Sequence, residues 1–187
     1  MPYEERDVYA VDVAGVTREL PLFEVAPGVR IAIVNILGDT ELVQKAAHAL
    51  AEKLADFDAD VLVTPEAKSI PLSYALAVEM GLPWIVLRKS YKPYMGEPLQ
   101  AGTQSITTTE AQTLFMDEKD LELVDGQRVI LLDDVISTGG TLESMKALVE
   151  KAGGEIVARA AIFTEGDPDE WQDVVALGHL PVFTGES

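Results

Sequence analysis

The segment VILLDDVISTGGT, residues 129–141, combines an apolar run, two acids and a glycine-rich turn. The apolar run at 129–132 is typical of a short strand that is buried on both faces of a parallel sheet. Asp133 and Asp134 follow it directly, and a helical pattern, LESMKALVEKAGG, begins at residue 142. Such a strand–turn–helix junction predicts an open α/β sheet with the turn at the carboxyl end of a strand, where ligands bind.

The turn at residues 137–141 has the chemistry of an anion site. Its glycines let backbone N–H groups close around an anion, and the following helix points its positive end at the same place. The two carboxylates beside it can instead accept hydrogen bonds from vicinal hydroxyls or hold a divalent cation. Phosphate, diol and metal together indicate a phosphorylated ribose. No G-x-x-x-x-G-K-[ST] pattern occurs in the chain, which excludes a Walker-type P-loop.

This segment resembles the thirteen-residue signature of the type I phosphoribosyltransferases, which bind 5-phosphoribosyl-1-pyrophosphate (PRPP). The resemblance implies an α/β fold, with a doubly wound, mostly parallel sheet flanked by helices and a small hood. It implies that Asp133 and Asp134 act in catalysis by holding the ribose hydroxyls, directly or through water on Mg²⁺. The loop expected to grip the 5′-phosphate consists of Val135, Ile136, Ser137, Thr138, Gly139, Gly140 and Thr141.

Two other segments resemble parts of the same site. The loop at residues 64–69 is similar to the pyrophosphate loop of the adenine branch of the family, which implies pyrophosphate binding by Glu66, Ala67, Lys68 and Ser69. That branch usually has arginine where this chain has Lys68, so a point charge replaces a bidentate fork. Residues 88–92, RKSYK, resemble an R-K-x-x-K element. The resemblance implies that Arg88 and Lys92 bind pyrophosphate and that Lys89 is catalytic, whereas the alternative is a solvated charge cluster.

The 187 residues are expected to form one domain, with a PRPP-binding core at about 40–165 and a hood from 1–38 and possibly 166–187. Hydrophobic periodicity and turn residues predict the elements of this layout. They are strands at 8–13, 19–25, 29–37, 61–63, 84–87, 129–132, 156–163 and 174–183, helices at 40–55 and 69–80 and after 141, a mobile loop at 90–104, and a β-ribbon of SITTT (105–109) with TLFMD (113–117).

Composition restricts the partners of the protein. The net charge of −18 is expected to repel nucleic acid and anionic membranes. The absence of cysteine excludes disulfides and thiol catalysis. There is no long apolar run, and the first residues do not resemble a signal peptide, so we expect a cytoplasmic protein. The family resemblance implies a homodimer and a requirement for Mg²⁺.

The leading hypothesis is transfer of the 5-phosphoribosyl group of PRPP to a purine in salvage, with adenine favoured and pyrophosphate released. A 6-oxopurine such as xanthine or guanine is the competing substrate. A regulatory protein that binds PRPP without transferase activity is the alternative from another class. The resemblance to the purine branch makes Glu110 a candidate acid or base near the purine, although the match is loose and a solvent-facing strand residue is the favoured interpretation.

Overall fold

Five parallel strands form the centre of the molecule, and a separate antiparallel sheet lies beside them. The computed structural model describes residues 7–102 and 113–185. The strands are β1 (Val8–Val13), β2 (Val16–Ala26), β3 (Val29–Ala32), β4 (Val61–Pro65), β5 (Trp84–Leu87), β6 (Leu99–Gly102), β7 (Thr113–Met116), β8 (Arg128–Ile136), β9 (Glu155–Glu165), β10 (Val174–Leu180) and β11 (Phe183–Thr184), and the helices are α1 (Thr40–Leu54), α2 (Ile70–Met80) and α3 (Gly140–Lys151).

The central sheet has the order β10-β9-β8-β4-β5, and all neighbouring strands are parallel. Its middle strand, β8, explains the apolar run in the sequence, because successive side chains point to opposite faces. Ile130 packs in the core cluster that contains residues of α1 and α2, whereas Leu131 packs in the cluster that contains residues of α3. Helices therefore cover both faces, and the prediction of a doubly wound parallel sheet is confirmed.

Local signals in the sequence explain where two helices begin and end. The carboxylate of Asp39 accepts a hydrogen bond of 3.1 Å from the backbone N–H of Leu42 and caps the start of α1. Gly81 ends α2 with φ of 69°, a left-handed conformation that glycine adopts without strain. The predicted helices at 40–55 and 69–80 are thus correct to within one residue at each end.

The second sheet has the antiparallel order β1-β2-β3-β11. The strand predicted at 29–37 is too long, since β3 ends at Ala32. The chain leaves this sheet to reach α1, and Asn35 accepts a hydrogen bond of 3.2 Å from the backbone N–H of Leu37, which bends the connection. The single strand predicted at 174–183 is two strands, because the chain turns at Pro181 from the central sheet into the second one.

The predicted ribbon is only partly correct. Its TLFMD half forms β7, but the partner of β7 is β6 at Leu99–Gly102, within the segment that was predicted as a loop. Backbone pairing with β7 makes a strand of LQAG, whose composition alone does not favour one. The SITTT half and Glu110 lie outside the described residues. Within the described ranges, no helix is long and apolar enough to cross a membrane.

Candidate active site

The central sheet changes its direction of winding between β4 and β8. From β4 the chain adds β5 on one side and later returns to place β8 on the other side. The carboxyl ends of strands that flank such a switch point form a crevice in which ligands bind. The loop after β4 carries Lys68, and the end of β8 carries Asp133 and Asp134. The strand order therefore brings together two segments that are about 65 residues apart in the sequence.

Asp133 and Asp134 do not follow the strand, as the sequence suggested, but lie within it. Strand β8 continues to Ile136 because Asp133 and Val135 pair with Ala161 and Phe163 of β9. Adjacent strand positions point to opposite faces, and the two acids accordingly have different surroundings. Asp134 is buried and Asp133 is half-buried, and the backbone N–H of Asp134 donates a hydrogen bond of 2.8 Å to the Asp133 carboxylate.

The acid pair has an excess of negative charge. Burial of the Asp133 carboxyl raises its pKa above the ordinary value, and the charge of Asp134 raises this pKa further. The Oδ2 atom of Asp134 is buried and accepts no hydrogen bond from any described residue. Among the described residues, one cation, the Nζ of Lys68, lies 3.3 Å from this atom. Two adjacent carboxylates with one lysine beside Asp134 fit a site that is completed by an additional cation.

Mg²⁺ fits this arrangement if a substrate and water complete its coordination. Residues 7–102 and 113–185 contain no cluster of three or more acidic, histidine or cysteine side chains that could hold a metal by themselves. Mg²⁺ is commonly bound by one or two carboxylates together with phosphate oxygens and water. Asp133 and Asp134 supply this donor set, and a dication beside them would offset the repulsion that raises the pKa of Asp133.

We expect Asp133→Asn to raise the melting temperature of the ligand-free protein at alkaline pH. A carboxyl group whose pKa is raised by folding contributes its full stability below the ordinary pKa of 3.8. This contribution is lost as pH rises through the raised value, because the folded protein must then hold the charged form. Asparagine avoids this loss. The melting temperatures of the wild type and of Asp133→Asn, measured in EDTA from pH 5 to pH 9, should diverge as pH rises, with the variant the more stable. Parallel curves for the two proteins would contradict the raised pKa of Asp133.

The glycine-rich turn lies directly beyond the acids. A cavity of about 40 Å³ is lined by Asp133, Val135 and residues 136–142. Gly139 has φ of 77° and immediately precedes α3, which begins at Gly140. The predicted loop needs one correction, because Val135 and Ile136 belong to β8 and Ile136 is buried. These two residues form part of the wall of the cavity, whereas the turn spans residues 137–141, the last two of which begin α3.

The loop after β4 is joined to the acid pair by Lys68. Its ammonium group donates a hydrogen bond of 3.2 Å to the backbone carbonyl of Val34 and lies 3.3 Å from Asp134. One side chain thus connects three segments, namely the loop after β4, the end of β8 and the connection between β3 and α1. This contact could not be predicted from the sequence, because it depends on β4 and β8 being neighbours.

Glu66 joins the loop after β4 to the basic segment after β5. Its carboxylate accepts hydrogen bonds of 2.6 Å from the Nε of Arg88 and 2.7 Å from the backbone N–H of Lys89. Glu66 therefore orients this basic segment and raises the pKa of Arg88. The Glu66–Ala67 peptide bond is cis.

The remaining predicted phosphate ligands differ in how available they are. The hydroxyl of Ser69 is buried and donates a hydrogen bond of 2.8 Å to the carbonyl of Pro65, so only its backbone N–H could serve an anion. Lys89 and Lys92 are exposed, and neither forms an ion pair with another described residue. As far as residues 7–102 and 113–185 are concerned, both ammonium groups are available, but Lys92 does not contact the other two loops.

Known proteins resemble this chain in both sequence and structure. A sequence profile of the phosphoribosyl transferase domain matches residues 34–176. The adenine phosphoribosyltransferase of Thermosipho africanus is 37% identical over 154 residues, which are 79% of this chain and 84% of that protein. The adenine phosphoribosyltransferase of Brevibacillus brevis is 35% identical over 141 residues, or 74% and 79% of the two chains. The crystal structure of adenine phosphoribosyltransferase from Rhodothermus marinus has a TM-score of 0.63 at 25% identity and covers 92% of this chain and 94% of that one.

Proposed function

Because the chain belongs to the phosphoribosyltransferase family, we propose that it transfers the 5-phosphoribosyl group of PRPP to adenine in purine salvage and releases pyrophosphate. The observation that carries this proposal is the meeting of the acid pair, the glycine-rich turn and Lys68 at the switch point of the sheet. These are the groups that a ribose with a phosphate at one end and a pyrophosphate at the other requires.

The reaction exchanges one bond at C1 of the ribose for another. The bond from C1 to the pyrophosphate oxygen breaks, and a bond from C1 to a ring nitrogen of adenine forms. The proton of that nitrogen passes to the leaving pyrophosphate or to water. Positive charge develops on the sugar and negative charge on the leaving group, so catalysis depends on positioning and on charge stabilisation. No protein nucleophile is required by this scheme.

Different residues of this chain bind different parts of the substrate. The turn at 137–141 holds the 5′-phosphate through its backbone N–H groups and the start of α3. Asp133 and Asp134 accept hydrogen bonds from the ribose hydroxyls, directly or through water on Mg²⁺. Lys68, Lys89 and Arg88 face the pyrophosphate, and Glu66 keeps Arg88 in place. Mg²⁺, when bound, offsets the charge that grows on the leaving pyrophosphate.

The second sheet is proposed as the hood of this single domain, with residues 7–32 and 183–185 over the central sheet. Adenine is favoured over a 6-oxopurine because the two relatives named above, at 37% and 35% identity, are adenine phosphoribosyltransferases. The loops at the carboxyl edge of the central sheet bind the phosphates and the ribose, and the base is expected between these loops and the hood. The segment that contains Glu110 lies outside the described residues and stays a prediction.

Nucleotide formation from PRPP and Mg²⁺ with a panel of adenine, guanine, hypoxanthine and xanthine tests the proposed function. AMP and pyrophosphate are expected in equal amounts with adenine, and much less product with the other bases. Preference for an oxopurine would overturn the choice of base. Tight PRPP binding without product from any base would instead favour a regulatory protein.

A homodimer is also proposed, and α2 supplies a candidate contact surface. Tyr74 and Val78 are four residues apart on one face of this helix and are 58% and 65% exposed. Two exposed apolar side chains on one helix face offer a surface that a second copy of the chain could cover. Light scattering should give about twice the chain mass of 20.2 kDa, and Val78→Glu should shift the protein toward the monomer. A monomeric wild type would contradict this proposal.

A further inference from the structure

We propose that Trp171 is a positioning residue that holds the 5′-phosphate turn in its binding conformation. This inference rests on the proposed function, because it concerns the same turn. Neither the acid pair nor the basic segments include Trp171, and it lies 30 residues beyond the end of the turn.

The residues of the turn do little to stabilise its conformation by themselves. Two of its residues are glycines, which lose more conformational freedom than any other residue when they become ordered. Gly139 adopts φ of 77°, and its neighbours Ser137 and Thr138 are exposed. A binding turn of this kind needs support from residues around it if its N–H groups are to converge before the ligand arrives.

Trp171 contacts the turn at its most constrained position. A methyl group added to the Cα of Gly139 would lie 3.0 Å from Cη2 and 3.6 Å from Cζ3 of the indole. The six-membered ring therefore lies directly against the glycine backbone. Trp171 also packs on the core cluster that contains Ile136 and Leu142, the residues immediately before and after the turn.

The indole is itself fixed to the end of the sheet. Its Nε1–H donates a hydrogen bond of 2.9 Å to the backbone carbonyl of Glu165, the last residue of β9. The preceding residue, Thr164, pairs with Ile136 of β8. The ring nitrogens of His179 lie 3.0 Å from the Thr164 hydroxyl and 3.2 Å from the Gly166 carbonyl, which secures the segment on both sides of Glu165. A continuous series of contacts thus runs from β8 through β9 and Trp171 back to the turn.

If Trp171 positions the turn, its loss should affect the phosphoribosyl end of the substrate and spare the pyrophosphate end. We expect Trp171→Ala to raise the KM for PRPP about tenfold and to lower the affinity for ribose 5-phosphate by a similar factor. The KM for adenine, the affinity for pyrophosphate and kcat should change less than about twofold. Trp171→Phe keeps a ring against Gly139 but loses the N–H donor. Its KM for PRPP should therefore lie between the values of the wild type and of Trp171→Ala.

Trp84→Phe is the matched control, because Trp84 begins β5 at the opposite end of the sheet and packs against Tyr74. It should leave every constant unchanged. If Trp171→Ala does not fold, Trp171→Phe is measured instead. The fluorescence of the Trp84→Phe protein, in which Trp171 is the remaining tryptophan, gives a second test. Ribose 5-phosphate, but not pyrophosphate, should change this emission. Unchanged PRPP constants and unchanged emission in an active enzyme would overturn the role of Trp171. Failure of the wild type to form nucleotide would instead overturn the proposed function.

Discussion

Replacement of both Asp133 and Asp134 by asparagine is expected to abolish nucleotide formation, with a loss of at least about 1,000-fold in kcat. Asparagine keeps the shape of both side chains but removes the two charges that are proposed to hold the ribose and a magnesium ion. The fold should survive, because burial and the charge of Asp134 raise the pKa of Asp133, so that a neutral side chain is favoured there, and the strand is held by backbone pairing with β9. Initial rates with saturating PRPP, Mg²⁺ and adenine, together with a melting curve, measure both effects.

A matched control removes two charges from the opposite, amino-terminal edge of the central sheet. Asp56 and Asp125 are exposed and precede β4 and β8 at their amino ends. Asp56→Asn combined with Asp125→Asn changes the net charge by the same amount and should keep nearly full activity. Activity within about threefold of the wild type in the Asp133 and Asp134 double variant would end the assignment of this site.

The second large effect is expected for Lys68→Ala, which should weaken PRPP and pyrophosphate binding by about 10- to 100-fold, or 1.4–2.8 kcal/mol. The change removes a cation from the pyrophosphate side of the crevice. It also leaves the buried Asp134 carboxylate without the ammonium group that lies 3.3 Å away. Titration calorimetry with pyrophosphate and Mg²⁺ measures the loss directly.

Two variants show whether the position or only the charge of Lys68 matters. Lys151→Ala removes an exposed lysine from the last turn of α3, at the end opposite the phosphate turn, and should leave binding unchanged. Lys68→Arg keeps the charge, and the fork of arginine can bind phosphate in a bidentate manner, so binding should be retained or improved. Unchanged pyrophosphate affinity in Lys68→Ala would remove the loop after β4 from the proposed site.

The parallel sheet was predictable because its buried strands are visible in the sequence as short apolar runs. The run at 129–132 fills both faces of β8, and Asp39 and Gly81 mark helix ends by local chemistry. The errors occur where pairing with a distant segment overrides local preference. Strand β6 exists because β7 lies beside it, and β8 continues through its two acids because β9 offers partners as far as Thr164.

The order of residues along the chain determined which chemical groups this protein has: two adjacent acids, a glycine-rich turn before a helix, and basic residues after two strands. Each of these is a short-range pattern, so it can be read without knowing the strand order. Only the tertiary structure decided which groups meet, because contacts between loops depend on which strands are neighbours. Three contacts join segments that are 20 to 70 residues apart in the sequence. They are the ion pair of Lys68 with Asp134, the ion pair of Glu66 with Arg88, and the packing of the Trp171 indole against Gly139.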